Sequence, residues 1–181
     1  MTTEHYHRIH SWFGRHPAVR HWVVRLDRWL PLVPFVCYPV LLILINVQLV
    51  QLFCNGEIPL SDALDFMYPT ARAILVPGFT FLLGTLVRDR LNCPRPYEQP
   101  GFEPLVQKET HGHSLPSRHA LSAFVLAMVW LYFYPAAGCG MLLVSAAICA
   151  LRVLTGVHHV RDVICGALFG ILFGYVGMWL L

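Results

Sequence analysis

Between Trp29 and Gly56 the chain carries no Asp, Glu, Lys or Arg. About 20 apolar residues let a helix cross a bilayer, so this run is long enough to be a membrane span. A chain with one helix in lipid is restricted there to further helices or a closed barrel, because its backbone polar groups find no water. A second run extends from Phe66 to Val87, broken only by Arg72 near its start. Ala120 to Leu151 is again free of charge, and Pro135, Gly138 and Gly140 divide it into two spans joined by a tight turn. Val163 to Leu181 supplies the last. The expected fold is an all-α, multi-pass transmembrane helix bundle of about five spans plus an N-terminal amphipathic interfacial helix. Composition agrees: 13% of the 181 residues are charged and 56% are hydrophobic, against roughly 25% charged in an ordinary soluble domain.

Two units are expected, a basic amphipathic segment over residues 1–29 and a membrane domain over 30–181. Within the first, Pro17 to Leu30 reads as a helix with Val19, Trp22, Val23, Leu26 and Leu30 on one stripe and Arg20, Arg25, Asp27 and Arg28 mainly elsewhere. A basic helix with tryptophans suits the headgroup layer. The first long apolar stretch begins near Leu30, later than in a cleavable signal peptide, so the N-terminal segment is expected to stay. A net charge of +3 gives no basic surplus for nucleic acid. The six cysteines show no C-x-x-C spacing, so neither a disulfide framework nor a zinc knuckle is expected.

Two polar segments remain, Arg88 to Ser117 and Arg152 to Asp162, and the parity of the spans puts them on one side of the membrane. The histidines lie in or beside these segments or before Trp22. His5, His7, His10, His16 and His21 read as solvated or interfacial. The first segment opens with Arg88 and Arg95-Pro96 and closes on Leu115-Pro116-Ser117-Arg118-His119; the second gives Arg152, His158 and Asp162. Guanidiniums present planar forks of donors that match phosphate oxygens and stay charged at any working pH. A helix starting at Pro116 or Ser117 adds free N–H groups and its dipole. His158 and Asp162 are four apart, so on a helix they share a face, where the carboxylate fixes the imidazole tautomer. The ligand that fits is a phosphate. His111 and His113 with His158 and His159 could be read as a zinc cluster, but no cysteine or second carboxylate completes it and the arginines would repel a cation.

Arg88…Arg95-Pro96, then Pro116-Ser117-Arg118-His119, then Leu151-Arg152…His158…Asp162 resemble, in order and spacing, the three motifs of the type 2 phosphatidic acid phosphatase superfamily of membrane lipid phosphatases and vanadium haloperoxidases. The resemblance implies a lipid phosphatase working through a phosphohistidine, with His158 as nucleophile, Asp162 as its orienting partner and His119 as general acid. It also implies phosphoryl binding by Arg88, Arg95, Ser117 and Arg152, and no metal or other cofactor. Three positions depart from the pattern: Arg88 replaces a lysine, Arg118 a glycine and Leu151 a serine. Arg118 is counted with the phosphate-binding residues, in a supporting electrostatic role. The implied substrate is a lipid phosphate or diphosphate met in the bilayer, with phosphatidate, phosphatidylglycerol phosphate and polyprenyl diphosphate all fitting. The runner-up is a phosphotransferase using an alcohol acceptor; a non-catalytic scaffold or metal-binding module is the rival from another class.

All 13 Lys and Arg except Arg72 fall on the side that carries the two polar segments, whereas Cys54 to Asp65 opposite holds only acids. The positive-inside rule then expects the site at the cytoplasmic surface, although many bacterial members of the resembling family have six spans and an outward-facing site.

Overall fold

The computed structural model describes residues 3–181; Met1 and Thr2 lie outside it, as do the side chains of Thr3, Glu4 and His5. Seven helices follow one another: α1 (Thr3–Arg15), α2 (Pro17–Trp29), α3 (Leu32–Cys54), α4 (Leu60–Leu91), α5 (Arg118–Phe133), α6 (Pro135–Leu154) and α7 (Val160–Tyr175), which runs on into a wider π turn over Val176–Leu180. No strand occurs among the described residues. Pro17 and Pro135 open α2 and α6 at the first helical position, where a missing N–H costs nothing.

Four stretches are long and apolar enough to cross a membrane: Pro17–Cys54, Leu60–Glu98, Pro135–Leu154 and Val160–Leu180. The fifth expected span is the 16-residue α5. At 1.5 Å per residue it measures about 24 Å, short of the roughly 30 Å hydrocarbon layer. It is nonetheless the centre of the bundle, packing on α3, α4, α6 and α7, with every residue from Ala120 to Val129 buried except Phe124. Outward-facing Ile43, Leu75, Leu82, Leu143, Leu168 and Leu172 are exposed, as a lipid-facing surface requires.

Close approach of α7 to α5 rests on glycines. A Cβ at Gly166 would stand 2.6 Å from the Ser117 carbonyl oxygen, and one at Gly170 2.6 Å from that of Leu121. Small residues at such a crossing let the backbones pack where lipid offers no hydrophobic drive. One of the two prolines inside α4, Pro77, is accommodated by a neighbour. Pro77 has no N–H for the Ala73 carbonyl one turn before, and the Tyr38 hydroxyl of α3 donates to that oxygen at 2.7 Å.

The segment before Pro17, which sequence periodicity leaves unassigned, folds as α1. It buries Tyr6 and Phe13, and Tyr6 stacks on Phe102 with ring centroids 4.0 Å apart. That contact closes over Gly156, whose φ of +75° and missing Cβ admit the Tyr6 ring.

Candidate active site

Helix ends converge at one end of the bundle: the last turns of α2, α4 and α6 and the first turns of α5 and α7. The loop between α4 and α5 is tied across itself by Glu98, whose Oε1 accepts from the backbone N–H groups of Arg95 at 2.9 Å and Gly112 at 2.7 Å. Asn92 ends α4 in the left-handed conformation and receives the His113 N–H at 3.3 Å. Gly112, at φ +61°, could carry no Cβ without meeting Asn92 Oδ1. These ties bring the two motif-bearing ends of a long loop together.

Three arginines named by the sequence are buried here. Arg88 Nη1 donates to the Pro116 carbonyl at 3.1 Å, directly beside Ser117, and Arg95 Nε donates to the Gly112 carbonyl at 2.9 Å. Arg152 Nη1 meets Asp27 Oδ2 at 3.3 Å, and its Nε is buried without a partner. No carboxylate forms an ion pair with Arg88 or Arg95 among the described residues. Buried guanidiniums left so are a strong attractor for an anion.

Ser117 is the residue before α5 and is fully buried. Its N–H donates to the Asp162 carbonyl at 3.0 Å, which ties the start of α5 to the start of α7. Its hydroxyl makes no capping bond and has no partner, so it remains available to a ligand at the positive end of the helix dipole. His119, half-buried one residue inside α5, has the cations Arg152, Lys108 and Arg118 and the ring of His158 among its neighbours. Arg118 is exposed and makes no hydrogen bond or ion pair within the described residues.

His158 does not share a helical face with Asp162, contrary to the sequence expectation. α7 begins only at Val160, and Asp162 turns back to cap it, Oδ2 accepting from the His159 N–H at 2.9 Å. His158 therefore sits in the preceding turn, its Nδ1 3.6 Å from Asp162 Oδ2. The link is completed by a residue that sequence reasoning missed. Ser114, fully buried, donates its hydroxyl to Asp162 Oδ2 and stands 3.3 Å from His158 Nδ1. Its single proton is given to the carboxylate, so the hydroxyl oxygen offers His158 only lone pairs. Nδ1 must then carry the imidazole proton, which leaves the lone pair on Nε2.

Burial holds His158 down to a pKa of about 4, and the Arg95 and Arg88 charges act in the same direction against the opposing contact with Asp162. At neutral pH the ring is uncharged, so its unprotonated nitrogen keeps a free lone pair. Removing the Asp162 charge takes away a group that favours the imidazolium, so it would lower this pKa further. His111 is exposed and His113 pairs at 3.3 Å with Asp89; neither forms a hydrogen bond or ion pair with His158 among the described residues.

Comparison with known proteins follows the same residues. The family model of the PAP2 superfamily matches residues 69–181, well over half of the chain and all three motifs. The chain belongs to this superfamily. PAP2 relatives include rat sphingosine-1-phosphate phosphatase 1, 31% identical over 148 residues that cover 70% of this chain and 34% of the rat protein. Human sphingosine-1-phosphate phosphatase 2 is 32% identical over 109 residues, covering 56% and 27%. The chain thus spans about a third of the length of these relatives. Among solved structures, the crystal structure of Aquifex aeolicus LpxE superposes with a TM-score of 0.64 at 22% identity, over 96% of this chain and 92% of that one. This PAP2 chain shares that fold across nearly its whole length, including the α1 and α2 region outside the family match.

Proposed function

We propose that the chain is an integral membrane phosphatase that cleaves the terminal phosphate from a lipid phosphate through a phosphohistidine on His158. One observation carries this reading: a neutral, tautomer-fixed His158 lies among buried guanidiniums that lack carboxylate partners, with the exception of Arg152. His158 Nε2 attacks phosphorus while Arg88, Arg95, Arg152 and the Ser117 hydroxyl hold the phosphoryl oxygens. The P–O bond to the lipid breaks, and His119, which burial and the surrounding cations hold neutral in the empty site and which takes up a proton once the negative charge of the phosphate is in place, gives that proton to the departing alkoxide. Water, deprotonated by the now neutral His119, attacks phosphorus from the opposite side; the P–N bond breaks and free phosphate leaves. Charge on the transferring group is met by guanidiniums and the helix terminus. Arg118, exposed and uncontacted, contributes only its distant field.

The short α5 sets the site deep at the bilayer surface, where a lipid phosphate can reach it without leaving the membrane. The similarity to proteins named sphingosine-1-phosphate phosphatases puts single-chain sphingoid phosphates beside phosphatidate, phosphatidylglycerol phosphate and polyprenyl diphosphate as substrates to test. Purified protein in detergent micelles should release inorganic phosphate from at least one of these four. EDTA should leave the rate within about twofold, and vanadate, a mimic of the pentacoordinate transition state, should inhibit. Metal-dependent release, or none from the whole panel, would overturn the reading.

We further propose that the site faces the cytoplasm, since the basic residues outside the motifs gather at the site end of the bundle. Gln107 is exposed on the loop between α4 and α5. In a variant lacking the six free cysteines, Gln107→Cys should react with a membrane-impermeant thiol reagent only after the cells are opened. Labelling of intact cells would reverse the assignment.

A further inference from the structure

Asp27 is the only acidic residue between Glu4 and Glu57. It sits in the last turn of α2 among Arg20, Arg25 and Arg28, where a surface carboxylate would be expected to face solvent beside them. Instead it is 4% exposed. Its Oδ2 accepts from Arg152 Nη1 at 3.3 Å, its backbone carbonyl lies 3.4 Å from Arg152 Nη2, and Oδ1 stands 3.5 Å from the Thr155 hydroxyl. Nothing in the phosphatase motifs requires this contact, and α2 lies outside residues 69–181.

From this geometry we infer that Asp27 is a positioning residue for Arg152, so that α2 is a working part of the site. The inference rests on the phosphatase reading above. A guanidinium has five N–H donors in a rigid plane. Asp27 engages one on each terminal nitrogen, which leaves three, including the buried and unpartnered Nε. Gripping one end of the plane fixes where the other end points, and a long side chain that would otherwise have to be ordered by the substrate is ordered beforehand. Asp27 also offsets a buried positive charge while no phosphate is present. Arg152 is the one phosphate-binding arginine that carries such a partner, and it is the one whose family neighbour, the serine replaced by Leu151, is missing here. The lost donor makes the aim of the remaining guanidinium more consequential.

Pre-positioning acts on the transition state more than on the ground state, so its loss has a signature that general destabilisation lacks. Asp27→Asn keeps the shape and removes the charge; Asp27→Glu keeps the charge and moves the carboxylate by one methylene. Per folded molecule, each should lower kcat by about tenfold or more and weaken vanadate by a similar factor, measured calorimetrically without turnover. KM and the affinity for inorganic phosphate should change less than about threefold. In an Arg152→Ala background, Asp27→Asn should cost less than about twofold more, because its target is gone. Unchanged kcat and vanadate affinity in either folded variant would overturn the inference. So would the full loss repeated without Arg152, or failure of both variants to fold while Arg152→Ala folds. A wild-type protein that neither turns over nor binds vanadate would instead sink the phosphatase reading itself.

Discussion

Replacing His158 by alanine is expected to lower turnover at least about 10³-fold while leaving the folded protein intact. In the proposed mechanism the nitrogen that forms the bond to phosphorus is then gone, and the arginines and Ser117 would still bind phosphate but could not divide the reaction into two easier steps. The partners of His158 should follow in graded order. Asp162→Asn removes the charge that orients Nδ1–H and supports the imidazolium character built up on attack, but an amide oxygen can still cap α7. A loss of about 10²- to 10³-fold is expected. Ser114→Ala leaves the 3.6 Å separation between His158 Nδ1 and Asp162 Oδ2 unbridged, for an expected loss of about tenfold to a hundredfold. Steady-state rates normalised to folded protein, with thermal unfolding measured alongside, check all three. A folded His158→Ala variant with substantial activity would remove the nucleophile assignment.

A single methyl group on α7 should be nearly as damaging as loss of a catalytic partner. In Gly166→Ala the new Cβ would lie 2.6 Å from the Ser117 carbonyl oxygen and 3.0 Å from the Ala120 side chain. Neither can yield by rotating a flexible side chain, so α5 and α7 must separate. That shift moves the Ser117 hydroxyl, the N-terminus of α5 and the Asp162 carbonyl that accepts the Ser117 N–H. Overpacking of this kind costs about 1–3 kcal/mol of stability, and a displacement of about 1 Å in a reactive geometry costs about 10²-fold in rate. Gly140→Ala, whose Cβ would meet nothing within 4 Å, is the matched control and should leave both quantities unchanged. Equal rates for the two variants would show that the crossing does not position the site.

The motif residues were legible because their chemistry is compressed into short spacings: Arg88 with Arg95, Ser117 with His119, His158 with Asp162. The spans were legible because lipid tolerates so few charges, although α5 proved shorter than a full crossing. What stayed hidden depends on distant partners. Ser114 and His158 are 44 residues apart, and Asp27 and Arg152 are 125 apart. No local pattern marks a serine or a lone aspartate for such contacts, although one acid in a wholly basic helix was a usable hint. The expected helical face of His158 and Asp162 failed for a local reason. A carboxylate three residues into a helix can cap its start, and Asp162 does so. α1 went unread because its buried face consists of little more than Tyr6 and Phe13.

In the proposed mechanism phosphate passes through His158. Radiolabelled p-nitrophenyl phosphate has a leaving group that needs no proton donor, so His119→Ala should still complete the first step but should lack the base for the second. Mixed with this probe and quenched in alkali, in which phosphohistidine survives, the variant should accumulate label that maps to His158 and is lost in acid. Label on Ser117, or turnover of the probe by wild type with no alkali-stable label in the variant, would contradict the account.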